Sequence, residues 1–165
     1  MPRMDPDQAR RRFAAARVAR MATVDEAGRP HLVPVVFATD GADGIVTAVD
    51  RKPKRTTHLK RLRNIEAHPA VCLLADDFDE DWDRLWWVRA DGDARILPPD
   101  ATDAPDATDT SEAGTRERYE AALAELRRKY PQYRQDPPDG PVIAVAVHRW
   151  TGWRAGPAPE PDPGG

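Results

Sequence analysis

The chain has 165 residues, 40% of them hydrophobic and 32% charged, which is enough for one domain with a real core. Its formal net charge of −3 excludes bulk electrostatic attraction to nucleic acid or to an anionic membrane, so any anion site has to be local. The lone cysteine, Cys72, excludes a disulfide framework and a thiolate metal cluster, and no apolar run approaches the ~20 residues that span a bilayer; a soluble protein of the reducing cytoplasm is expected.

In chain order, "DPDQARRRFAAA" starts at an Asp cap and sets Phe13 and several alanines on one side of a helix. "RVARMATVD" alternates as a strand does, and "EAGRP" is a turn in which Gly28 is free to take positive φ. "HLVPVVFAT" is the second strand, "DGADG" the next turn and "IVTAV" the third strand, together an antiparallel meander. Leu59, Leu62 and Ile65 then fall at helical spacing, which predicts an amphipathic helix over Thr56–Ala67, closed by His68-Pro69 because a residue before proline resists the helical region. "AVCLLA" is a buried strand, "DDFDEDWD" an acidic loop, and "RLWWVRADGDARIL" a long strand with a bend or bulge near Gly92. Residues 98–114 carry proline, small residues and acids and read as a mobile loop before the helix "TRERYEAALAELRRKY". "PQYRQDPPDGP" breaks that helix, and "VIAVAVHRWTGWRA" is the last strand. One domain over residues 1–155 is expected, of mainly β (α+β) class, built as a small six-stranded barrel with about three helices; residues 156–165 form a tail with nothing to pack.

The most informative local feature is "RKPKRTTHLKRLR", with seven Lys or Arg in thirteen positions. A helix N-terminus offers free N–H groups and the positive end of a dipole, and Lys54, Arg55, Thr56 and Thr57 gather there, where a phosphate or carboxylate would sit. Lys60, Arg61 and Arg63 fit equally well as a solvated helix face. No aromatic residues interleave the bases and no recognition motif frames them, so nucleic acid is the weaker partner. Trp86 and Trp87 are neighbours on a strand and point to opposite faces: one fills the core, and the other, beside Arg89, needs a partner surface. His31, His58, His68 and His148 lack metal-ligand spacing and no metal site is expected; Cys72 reads as a small buried thiol, and there is neither a P-loop nor a GxGxxG.

The succession "ATVDEAGRPHLVPVVFA", a third strand, a basic helix, "HPAVCLLAD" and "WWVRADGDARIL" resembles the pyridoxamine 5'-phosphate oxidase-like split β-barrel superfamily, and within it the actinobacterial branch of coenzyme F420-dependent oxidoreductases. The resemblance covers residues 8–97 and the closing "VHRWTGWRA". It implies a homodimer holding F420, or alternatively FMN, in a groove between subunits. The anionic part would rest on Lys54, Arg55 and Thr56, with Arg51 and Arg61 as further candidates. Val33, Pro34 and Val35 would run their backbone along the ring, and Thr47 and Ala48 would lie near the phosphate-bearing chain. A flat apolar ring with an anionic tail calls for an aromatic wall beside a basic patch, which Trp87 and Arg89 would supply. The implied activity is hydride transfer between reduced deazaflavin and an unsaturated or carbonyl-containing small molecule, with His31, Arg89 or a water as proton donor. A protein that only carries a flavin, F420 or haem is the rival from another class.

Overall fold

The computed structural model describes residues 3–49, 59–100 and 114–156. The expected loop at 98–114 falls largely, and the expected tail at 156–165 almost wholly, outside these residues. The described elements are β1 (Arg3–Met4), α1 (Pro6–Ala15), β2 (Ala19–Val24), β3 (Pro30–Val35), β4 (Ala38–Thr39), β5 (Gly44–Ala48), α2 (Lys60–Ala67), β6 (Ala70–Asp77), a 3₁₀ turn (Trp82–Arg84), β7 (Trp86–Leu97), α3 (Thr115–Lys129), α4 (Pro131–Gln135) and β8 (Val142–Arg154).

All eight strands belong to one antiparallel sheet ordered β3-β2-β6-β7-β8-β5-β4, with β1 added beside β8. β3 and β4 are consecutive in the chain yet lie at the two ends of that order, joined only by Val36 and Phe37. So short a link between opposite edges requires the sheet to curl on itself, which makes a barrel with a seam. The expected single strand "HLVPVVFAT" is therefore two pieces. At the break, side chains replace ladder hydrogen bonds: the Thr47 hydroxyl donates to the Val36 carbonyl at 2.7 Å, and the Tyr130 hydroxyl accepts from the Phe37 N–H at 3.2 Å.

Local chemistry sets the helices. Asp5 caps α1 through a capping box with Gln8, at 2.9 Å to the Gln8 N–H, and the helix drives Phe13, fully buried, against Phe37 and Trp150. Asp43, in the turn before β5, accepts from the Arg10 guanidinium at 2.7 Å and the Trp150 indole at 2.8 Å; these two donors hold its carboxyl below the usual range and tie α1 to the sheet. Within the described residues α2 begins at Lys60, behind an extended Leu59, and packs Leu62 and Ile65 into the core, while Thr56 to His58 of the expected helix lie outside those residues; it ends before His68-Pro69, as expected. Pro131, which ends α3, also opens the short α4, since proline is tolerated in a first turn. A second apolar cluster lies where Tyr119, Ala122 and Leu126 of α3 cover Leu97, Val142 and Ala48.

Gly92 sits at the irregularity anticipated for β7, and the register shows its form: Asp91 opposes Arg149 while Gly92 opposes Val147, so His148 of β8 is the extra residue. A Cβ on Gly92 would lie 2.4 Å from the Ala146 carbonyl oxygen. The close approach of the two backbones at the bulge leaves room only for hydrogen.

Candidate functional site: an aromatic and cationic wall on the sheet

Because side chains alternate, the buried row Met21, Leu73, Ala75, Val88 and Ala90 fixes the barrel interior, and the residues between them face outward. Register then places three rows side by side on the outer face. Pro34 lies opposite Arg20, Arg20 opposite Leu74, Leu74 opposite Arg89, and Arg89 opposite Thr151. Next to that row stand Asp76, Trp87 and Trp153; on its other side stand Leu32, Ala22, Cys72, Asp91 and Arg149. Trp87 is thus the outward indole. Trp86 turns to the opposite side, where the Arg12 guanidinium lies 5.0 Å from its ring centroid.

The electrostatics of the wall are simple. Arg20 pairs with Asp76 and is neutralised by it. Asp91 is shared by two cations, accepting from Arg89 Nε at 3.2 Å and Arg149 Nε at 3.0 Å, so that trio keeps one positive charge beside the indoles. Burial first, and then the Asp91 charge, pushes the half-buried Cys72 thiol up, which keeps it protonated and unreactive. The Trp153 Nε1 is buried with no hydrogen-bond partner among the described residues, a donor left unmet on the wall.

The residues singled out in the sequence divide as follows. Pro34, Trp87 and Arg89 come together on the outer face. Val33 and Val35 turn inward, packing on the core, but they belong to β3, which among the described residues pairs with β2 alone, so its other edge meets no described strand. Thr47 is buried with its hydroxyl given to Val36, and Ala48 lies beneath α3. His31 faces the same side as Thr23 and the core, away from the wall, with its Nδ1 buried and unpartnered. Arg61 is half-buried in the first turn of α2. Arg51, Lys54, Arg55 and Thr56 lie outside the described residues. Both flanks of that stretch are anchored on the barrel: Val49 is buried with its N–H on the Pro141 carbonyl at 3.0 Å, and Leu59 packs against the same core.

Sequence spacing does not single out Arg20, Asp91, Arg149 or Trp153. The Arg20–Asp76 and Asp91–Arg149 pairs join residues 56 and 58 positions apart, and only cross-strand register relates them. Among the described residues, hollows that leave out Trp87 and Arg89 also border the sheet. One of about 740 Å³ lies between the outer face and α3, lined by Val46, Arg95, Arg118, Ala122 and Ala144. Another, about 250 Å³, lies among Arg12, Trp86 and Arg154. Among the described residues no three His, Cys, Asp or Glu side chains gather as metal ligands, and no helix is long and apolar enough to cross a membrane.

A curled antiparallel sheet closed by a two-residue seam, with helices packed around it, is a split β-barrel. The sequence model of pyridoxamine 5'-phosphate oxidase matches residues 5–154, and the chain belongs to that family. Among solved structures it is similar to a conserved hypothetical protein from Mycobacterium tuberculosis, at 20% identity over 92% of this chain and 86% of the other with a TM-score of 0.66. It is also similar to an FAD-binding protein from Mesorhizobium loti, at 16% identity over 92% and 95% with a TM-score of 0.62. A third is HutZ, the haem storage protein from Vibrio cholerae, at 14% identity over 92% and 95% with a TM-score of 0.61. At these identities the likeness is one of fold. No curated protein matches the sequence.

Proposed function

We propose that the protein is a cytoplasmic F420-dependent oxidoreductase, acting as a homodimer on an unsaturated or carbonyl-containing small molecule. The observation that carries this reading is the outward wall of Trp87, Trp153 and Arg89, standing on the same barrel that anchors both ends of the basic stretch. The wall fits the apolar ring of such a cofactor, and the charge left over on Arg89 and Arg149 fits polar atoms at its edge. Backbone groups on the edge of β3 away from β2, from Val33 to Val35, suit the ring's hydrogen-bonding side. Lys54, Arg55 and Thr56, with Arg51 and Arg61, would hold the anionic tail, and seven bases in thirteen positions suit the longer, oligoglutamate-bearing tail of F420 over that of FMN. When bound, reduced F420 supplies the hydride for the substrate's C=C or C=O bond. The chain's own part is to bind and orient. With His31 facing inward, Arg89 on the wall, or an ordered water beside it, would supply the proton. Similarity in fold to an FAD-binding protein supports a flavin-type ligand.

Leu32 is 64% exposed, and Val18 and Val36 at the seam are exposed as well. Together they make an apolar strip that a second copy would cover and that closes the open wall into a groove. Equilibrium titration of purified protein with F420 and with FMN tests the reading: saturable F420 binding at tens of micromolar or below is expected, and failure of both cofactors to bind removes it. Replacing Lys54 or Arg55 with alanine is expected to cost about 1.5–3 kcal/mol of F420 affinity per lost charge-assisted contact. Unchanged affinity takes that residue out of the site. Following the absorbance of reduced cofactor while quinones, enones and tetrapyrroles are offered separates an enzyme, which turns over, from a carrier, which only binds.

A further inference from the structure

Phe78 and Trp82 are 69% and 70% exposed, more than any other large apolar side chain among the described residues. Both lie in the loop between β6 and β7, where six of the eight residues from Asp76 to Asp83 are Asp or Glu. The loop is well tied. An Asp79 carboxylate oxygen accepts the Asp81 N–H at 2.9 Å, an Asp81 carboxylate oxygen accepts the Asp83 N–H at 3.2 Å, and Arg84 lies 3.4 Å from Asp79. The Leu85 carbonyl accepts the Ala155 N–H at 2.9 Å, which pins the base of the loop to the end of β8. The backbone that holds the two rings out is tied, so docking would have to order only their side chains, and nothing else in the described chain covers them.

Aromatic anchors among carboxylates fit a cationic surface with an apolar floor, and this chain carries one. Lys60 and Arg63 are exposed one helical turn apart on α2, beside the half-buried Leu59, within the basic stretch. α2 leads into β6 at Ala70, and the loop leaves β6 at Asp77, so the two lie at opposite ends of an eight-residue strand, about 23 Å apart at ~3.3 Å per residue. A two-fold axis lying along the outer face and crossing β6 at its middle would bring each loop toward the other copy's α2, and an isologous contact is satisfied twice. Leu74 and Trp87 lie on the face between.

We infer that the β6–β7 loop is an intersubunit clamp, Phe78 and Trp82 of one copy docking on the Lys60–Arg63 face of α2 in a second copy, with the Asp79 to Asp83 carboxylates facing its cations. The inference shares the dimer with the functional proposal and takes Lys60 and Arg63 of the basic stretch for the partner copy, leaving Arg51, Lys52, Lys54, Arg55 and Arg61 to the cofactor. Unlabelled and ¹⁵N-labelled chains are mixed, allowed to exchange, and joined with a zero-length carbodiimide. Mixed-label peptides linking Lys60 to Asp79, Glu80, Asp81 or Asp83 are the expected result. In sedimentation, the Phe78→Ser/Trp82→Ser double variant is expected to dissociate at least tenfold more readily than wild type, and added salt to weaken the wild-type dimer. A dimer whose loop crosslinks are all same-label, or one that the double variant leaves unchanged, overturns the clamp while cofactor titration still decides the functional reading. A monomer at all concentrations overturns the clamp and the proposed dimer together, leaving cofactor binding by the single chain to the titration.

Discussion

Lys129 shows what one half-buried charge can do. Its ammonium donates to the Ala16 carbonyl at 2.6 Å and stands 3.7 Å from the Phe37 ring centroid, near the seam of the barrel. Burial, and then the nearby Arg17 charge, lower its pKa from 10.5 to about 8. Between about pH 8 and 10.5 the unfolded chain therefore holds a proton that the folded chain has released, so this group adds stability as pH rises through that window. Tyr130, pushed up by burial, acts in the opposite sense, and its contribution is lost as pH climbs past its ordinary value of 10.0. Comparing melting temperatures of wild type and Lys129→Met from pH 7.5 to 9.5 isolates the lysine: the wild type is expected to gain relative to the variant, and parallel profiles would contradict the account. Nothing in "LRRKY" marks this lysine apart from its arginine neighbours, because its environment comes from α1 and from the β3–β4 link. Arg89 was legible as a charge beside an indole; that it shares Asp91 with Arg149 was not.

At the scale of elements, the bulge between β7 and β8 decides how the sheet bends past the wall. A glycine in the middle of an alternating strand announces an irregularity, so Gly92 could be picked out from the sequence. That the additional residue is His148 on the other strand could not, since a bulge is a property of the pairing. Gly92→Ala would force a methyl group against the Ala146 carbonyl and the Val145 side chain, and is expected to destabilise by about 1–3 kcal/mol in denaturant unfolding. An unchanged midpoint would mean that the backbones separate there at no cost. The division of one expected strand into β3 and β4 has the same origin: periodicity runs straight through Val36 and Phe37, while the Tyr130 hydroxyl that holds the break belongs to a residue 93 positions away.

At the scale of the whole molecule, α1 and the barrel form one packing unit. Phe13 meets Phe37 at 4.7 Å and Trp150 at 5.4 Å between centroids, so it couples the first helix to the seam and to the last strand. Phe13→Ala is expected to cost about 3–5 kcal/mol, with loss of cooperativity at the seam. Equilibrium denaturation followed by tryptophan fluorescence measures the cost. A loss below about 1 kcal/mol would show that α1 only decorates the barrel. The same unit holds both flanks of the basic stretch, at Val49 and Leu59.

The sequence by itself determined the split-barrel class, the main strands and helices, the basic stretch and the fact that Trp86 and Trp87 must part company. The split-barrel class came from the resemblance of the successive motifs to a known superfamily, whereas the elements, the basic stretch and the parting of the two indoles are written in local spacing: a period of two, a period near 3.6, a turn residue, a run of charge. Only the tertiary structure decided that Trp87 is the outward ring, that it stands beside Trp153 and the Arg89–Asp91–Arg149 trio, and that β3 and β4 close the sheet. Alternation says that neighbouring side chains lie on opposite faces, whereas which face is the core is fixed by register between strands and by what packs against them.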